Sequence, residues 1–210
     1  MKTFNFIYGI ALNELPSNLG IKQGDILGYL EVPSIKLNLP IYFGTDPNTL
    51  TKGIGMLEGT SFPVGGESTH SVLAAHTGLT NQKLFTDIDK LKKGDIFFIH
   101  IFKKKMAYKV NQIKVVHPDQ IDELKIIKGK DYVTLLTCYP YGINTERLLV
   151  RGERTDITPQ IEKEIEVAQK NTNIFAHTNK KLIIIIILLL IILLLIVVSF
   201  IKIKFANSKK

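Results

Sequence analysis

Val133-Thr134-Leu135-Leu136-Thr137-Cys138-Tyr139-Pro140-Tyr141-Gly142-Ile143-Asn144-Thr145-Glu146-Arg147-Leu148-Leu149-Val150-Arg151 reads as two strands around a loop. Val133 to Thr137 is β-branched and aliphatic, which suits a pleated, half-buried surface. Cys138 closes that run, and Tyr139-Pro140-Tyr141-Gly142 carries the turn chemistry that opens a loop. Arg147 begins the next run, Arg147-Leu148-Leu149-Val150, with the eight residues Tyr139 to Glu146 between the two. If the runs pair antiparallel, Cys138 and Arg147 meet at one rim of a sheet.

That placement has chemical content. A thiol at a strand end beside a loop stands where folds present functional groups. A neighbouring guanidinium favours thiolate over thiol and stabilises a developing oxyanion. Cys138 is the only cysteine, which excludes an internal disulfide and any multi-cysteine metal site. A lone cysteine is by default a small buried apolar residue, and its position at the end of a strand is what sets this one apart.

Working outward, the texture from Gly28 to Gly152 is β. Gly28 to Val32 is a short strand stopped by Pro33. Leu37 to Tyr42 is another, with Pro40 marking an edge or bulge. Ser71 to Ala75 is a compact apolar strand. Ile96 to Phe102 and Met106 to Val116 flank a Lys103-Lys104-Lys105 tip and read as a hairpin. Leu84, Phe85, Ile88 and Leu91 recur at helical spacing, which predicts one short helix. Many short strands with little helix predict an all-β closed barrel or sandwich.

A thiol nucleophile needs a proton partner, and histidine is the usual one. His117 precedes Pro118 in a turn, and His177 lies in a polar segment near the C-terminus. His70 and His100, near strand ends, read as surface residues. His76 follows the Ser71–Ala75 strand and precedes Thr77-Gly78, the same kind of strand-to-loop position as Cys138. Spacing alone favours His76 without deciding the choice.

The C-terminal part has its own pattern. Leu182 to Ile201 is apolar throughout except for Ser199. A helix of that length is about 30 Å long, one bilayer core, so it reads as a transmembrane helix. The net charge of +8 divides unevenly, +3 over residues 1–157 and +5 over residues 158–210. Most of the excess therefore flanks the apolar segment, as snorkelling and cytoplasmic lysines do, and no aromatic-basic interleaving points to nucleic acid. Residues 156–181, rich in Glu, Lys, Asn and Thr, read as a stalk, helical near Gln160–Gln169, and residues 202–210 as a basic cytoplasmic tail. At the other end, Phe4 to Leu12 is too short to span a bilayer and lacks a cleavage site, so residues 1–25 read as an N-terminal segment without a signal peptide.

Thr134-Leu135-Leu136-Thr137-Cys138 with Arg147-Leu148 resembles the sortase signature. Pro140-Tyr141-Gly142-Ile143-Asn144-Thr145 before it, Gly55 to Gly66, Ala75-His76-Thr77-Gly78-Leu79 and Leu84 to Leu91 are similar to the class C, pilus-assembling branch. The resemblance covers residues 26–155 and implies an eight-stranded β-barrel with one or two short helices. It implies a cysteine transpeptidase with Cys138 as nucleophile, His76 as catalytic histidine, Arg147 as the site arginine and Thr137 lining the substrate groove. The implied substrates are proteins with a Leu-Pro-x-Thr-Gly type sorting motif, cut between Thr and Gly. The implied acceptor is a pilin lysine, or a peptidoglycan cross-bridge for a housekeeping enzyme. No metal or organic cofactor is implied, and the barrel is expected on the extracellular face of the cell membrane.

Two departures stand out. Class C relatives carry an Asp-Pro-aromatic lid tripeptide, whereas Asn13-Glu14-Leu15-Pro16-Ser17-Asn18 has none, so an unplugged site is expected. Glu146 stands before Arg147, where related sequences often have histidine. Two rival readings are a catalytically silent, membrane-tethered peptide-binding barrel and a papain-like protease. The intact Cys138, His76 and Arg147 set opposes the first, and the strand-borne cysteine opposes the second. The orientation has a direct check. Protease added to intact protoplasts should digest the barrel and spare Lys202–Lys210, and protection of the barrel with an exposed tail would reverse it.

Overall fold

The structure, a computed structural model, describes residues 20–78, 82–159 and 161–163. The chain divides into two units, Met1–Ile165 and Glu166–Lys210, and all of these residues belong to the first. The expected lid segment at residues 13–18, the transmembrane helix and the basic tail lie outside the described residues.

Eight strands form: β1 Ile26–Val32, β2 Leu37–Phe43, β3 Ile54–Met56, β4 Thr69–Ala74, β5 Ile96–Ile101, β6 Lys104–Val116, β7 Asp131–Tyr139 and β8 Glu146–Thr155. They close into a barrel in the order β1-β2-β3-β4-β7-β8-β6-β5. Of the two expected architectures, the barrel is the one formed. The closure follows from strand alternation. Inward residues such as Leu30, Ile41, Leu73, Ile99, Leu135 and Val150 are fully buried in one core cluster. At about 25 cal/mol per Å² of apolar surface, each contributes roughly 2 kcal/mol of burial.

Most neighbours pair antiparallel, but β2 with β3 and β4 with β7 pair parallel. The β4–β7 ladder runs from Thr69↔Asp131 to Ala74↔Leu136. On its other side β7 pairs antiparallel with β8, from Tyr132↔Glu153 to Tyr139↔Glu146. The start of β7 is anchored by Asp131, whose carboxylate accepts from the Tyr108 hydroxyl at 3.0 Å and from the Gly66 amide at 2.8 Å. Burial beside that carboxylate pushes the Tyr108 phenol upward.

Several local expectations need correction. Residues 84–91 form no α-helix. Leu84 takes φ 40°, Phe85 donates to the His76 carbonyl, and only Ile88–Lys90 is a 3₁₀ turn. The i→i+3 bonds Ile88→Phe85 and Leu91→Ile88 explain the apolar spacing. Residues 85, 88 and 91 recur at three, the period at which 3₁₀ side chains eclipse, and all three are buried. Among the described residues helix is sparse, as expected: one short α-helical turn at Pro47–Leu50 and 3₁₀ turns at Pro33–Ile35, Ile88–Lys90 and Asp122–Leu124 punctuate the barrel. Pro47–Leu50 is capped by Asp46, whose carboxylate accepts from the amides of Asn48 and Thr49, with Pro47 at the first helical position. β3 leaves no mark in the sequence, because three residues centred on Gly55 carry no alternation. The hairpin tip is Phe102-Lys103, both at positive φ, and Lys104 already belongs to β6. Past Thr155, the amide of Ile161 bonds the Thr158 hydroxyl and that of Glu162 bonds its carbonyl, which opens a helical turn in the stalk segment.

Gly28 shows how tightly the strands meet. It pairs with Ile101, and a Cβ there would stand 1.9 Å from the His100 carbonyl oxygen. The neighbour is backbone held in the β1–β5 ladder, so it has little room to yield. Gly28→Ala should cost about 3 kcal/mol and lower the thermal midpoint by roughly 10 °C. Calorimetry checks this, and an unchanged midpoint would refute it.

Candidate active site

The parallel β4–β7 pair places the C-terminal ends of both strands at the same rim of the barrel. Beyond Ala74↔Leu136, the Ala75 amide still donates to the Leu136 carbonyl at 3.2 Å. Two residues past that pair stand His76 on one chain segment and Cys138 on the other. On the far side of β7, Cys138 pairs directly with Arg147. Adjacent strands lie about 4.8 Å apart, so the three residues form a row across roughly 10 Å.

Alternation decides which way they face. Leu73 on β4 and Ala75 just past its end, Val133 and Leu135 on β7, and Leu148 and Val150 on β8 all belong to the core. His76, Cys138 and Arg147 are the alternate residues and face away from it. His76, Cys138 and Arg147 are each half-buried. The structure thus brings the three expected site residues to one outward face.

The Arg147 guanidinium is held by the loop that precedes it. Its Nη1 donates to the carbonyls of Asn144 at 3.1 Å and Glu146 at 2.8 Å. The loop is closed by the amides of Ile143 and Asn144, both bonding the Pro140 carbonyl, with Asn144 at φ 64°. Glu146 is simply the first residue of β8, paired with Tyr139. Thr137 points inward and is buried, and its hydroxyl donates to the Ala75 carbonyl at 2.7 Å. It also borders a cavity of about 280 Å³ that lies against Cys138, walled by Phe85, Asp87, Tyr139, Tyr141 and Leu148. A peptide or an amine has room there beside the thiol. Asp87 is already paired with Lys90 at 2.7 Å, and that lysine holds its carboxyl below the ordinary value. Among the described residues no group of His, Cys, Asp and Glu is placed to hold a metal ion.

His70, expected at the surface, is instead buried on the same outward face of β4 as His76. Its Nδ1 donates to the Lys125 carbonyl at 3.0 Å, and its Nε2 accepts from the Thr134 hydroxyl at 2.7 Å. The residues between β6 and β7 therefore cover it. That loop is tied down further by Glu123, which accepts from Gln112 and Lys114, and by Gly129, which donates to Ser68 at 2.9 Å. Alternation from His76 through Ala74 and Val72 puts His70 on this face, but nothing local to the sequence reveals the cover.

A family model described as Sortase domain matches residues 30–155. A solved sortase C from Clostridium perfringens SM101 is 70% identical, with a TM-score of 0.65, covering 71% of this chain and 80% of that one. A Clostridium perfringens sortase C solved with the C-terminal cell wall sorting motif is 74% identical, with a TM-score of 0.67 and the same coverage. Sortase D of Bacillus subtilis (strain 168) is 30% identical over 136 residues, which are 63% of this chain and 66% of that relative. The chain therefore spans just under two thirds of that curated relative's length.

Burial, above all, holds the His70 imidazole below its ordinary pKa of 6.5, and the Arg151 charge adds to this, although the Lys125 carbonyl pulls the other way. The folded chain thus refuses a proton that the unfolded chain accepts. Stability on this account is full above about pH 6.5 and falls below it, by at most about 1.4 kcal/mol per pH unit. The thermal midpoint should drop between about pH 7.5 and about pH 5.5, and the drop should be shallower in His70→Gln. Parallel curves for the two proteins would contradict this.

Proposed function

The chain belongs to the sortase family, and from that premise we propose that it is a cysteine transpeptidase of the class C, pilin-polymerising type. One observation carries the proposal: the row His76, Cys138 and Arg147, set by the β4–β7 and β7–β8 registers. The 70% and 74% identities to solved sortase C chains support the class. That one of those proteins was solved with the C-terminal cell wall sorting motif supports a Leu-Pro-x-Thr-Gly type substrate.

The chemistry follows from the row. The Cys138 thiolate attacks the carbonyl carbon of the motif threonine, and a carbon–sulfur bond forms. The tetrahedral oxyanion is stabilised by the guanidinium of Arg147. As it collapses, the Thr–Gly bond breaks, and His76 hands its proton to the leaving glycine amine. A thioacyl enzyme remains. An incoming primary amine, for this class a pilin lysine, loses a proton to His76, attacks the thioester and releases Cys138. Two lower barriers thereby replace one high barrier. In this reading the apolar segment Leu182–Ile201 anchors the protein in the cell membrane, with the barrel outside.

The full-length protein in detergent, given a sorting-motif peptide and a primary amine, should yield the cross-linked product and a thioacyl adduct visible by mass. Cys138→Ala should lose turnover by about 10⁴-fold or more while keeping its thermal midpoint within a few degrees. Full activity in the alanine variant would remove Cys138 from the mechanism and the proposal with it.

A further inference from the structure

The β4–β7 ladder stops before it reaches the two residues whose separation matters most. Its last hydrogen bond is the Ala75 amide to the Leu136 carbonyl. No ladder bond holds His76 against Cys138. The next contact between the two segments comes from Thr77, the residue that follows His76. Its Oγ1 lies 2.8 Å from the Thr137 Oγ1 and donates to the carbonyl of Cys138. The proton of the Thr137 hydroxyl goes to the Ala75 carbonyl. The Thr77 proton is therefore the one that serves the Cys138 carbonyl, and the Thr137 oxygen lies beside it.

We infer that Thr77 is a positioning residue that fixes the Cys138 peptide against the segment bearing His76, so that thiol and imidazole sit at working separation. The inference rests on the transpeptidase reading above. Two features support it. The contact is made to backbone on the Cys138 side, so it sets the plane of the peptide that leaves Cys138 and, through it, the direction of the side chain. It is also made by the residue adjacent to His76, whose own carbonyl is held from the other side by the Phe85 amide at 3.0 Å. The His76 segment is thus tied on both flanks, and Thr77 is the tie that faces the nucleophile. Thr77 and Thr137 both border the cavity beside Cys138, so the tie forms part of that cavity's wall.

The test is kinetic, on the full-length protein with a sorting-motif peptide and a primary amine. Thr77→Val keeps the shape and removes the hydroxyl, and Thr77→Ser keeps the hydroxyl. Displacing a reacting pair by a fraction of an ångström costs about 10- to 100-fold. Thr77→Val is expected to lower kcat by that factor with KM for the peptide within about threefold, and Thr77→Ser to recover most of the loss. Thr77→Ala is read alongside in case the valine variant fails to fold. Equal losses in the serine and valine variants, a rise in KM with kcat unchanged, or wild-type kcat in Thr77→Val would each overturn the inference. Alkylation of Cys138 by iodoacetamide needs no substrate and separates this inference from the functional reading. A slower rate in Thr77→Val than in the serine variant supports the positioning role even if the wild-type protein turns over no peptide, whereas equal rates argue against it.

Discussion

The parallel pairing of β4 with β7 is the constraint on which the site depends. Two strands that run the same way end at the same rim, so residues at the end of each become neighbours although 62 positions separate His76 from Cys138 in the chain. The antiparallel β8 then returns from that rim and begins with the arginine. A shift of one residue in the β4–β7 register would turn one of the two side chains into the core. The register is held from the opposite end, where Asp131 ties β7 to Tyr108 and Gly66, and from the middle, where Thr134 meets His70.

The outward face of β4, β7 and β8 carries two polar rows. His76, Cys138 and Arg147 stand at the open rim, half-buried. Further along the same strands, His70 and Thr134 are buried beneath the β6–β7 connection, and Arg151 packs on the Tyr132 ring at 4.3 Å while donating to Asn111. Similar residue types serve different ends because one row is covered and the other is not. The covered row is satisfied, neutral at histidine and fixed. The open row keeps a thiol next to free space.

Much of the fold was readable because its strands alternate. The runs ending in Cys138 and starting at Arg147 could be paired from sequence, since an eight-residue loop leaves an antiparallel neighbour as the natural outcome. His76 could not be chosen over His70 on the same grounds. Its partner strand lies across a crossover, and parallel register leaves no local mark. His70 reads as a surface residue in the sequence because its burial comes from a loop some 55 residues later in the chain. Phe85, Ile88 and Leu91 gave a true periodic signal of the wrong helix type, since a period of three and one near 3.6 are hard to tell apart over seven residues. β3 is too short and too rich in glycine to carry any signal.

Closure of the barrel has a consequence for recognition. All eight strands have two bonded neighbours, so the described barrel has no free edge strand, and unpaired backbone is confined to strand ends, such as β7 past Leu136 on its β4 side and β6 past Val110 on its β5 side. An extended chain therefore cannot add along a whole free edge, the route by which open sheets bind peptides with little regard to sequence. Beside Cys138 it meets side chains, loop backbone and the last residues of β7. Selection at that rim then falls more to the identity of a few residues in an incoming segment than to a general tendency to form β structure.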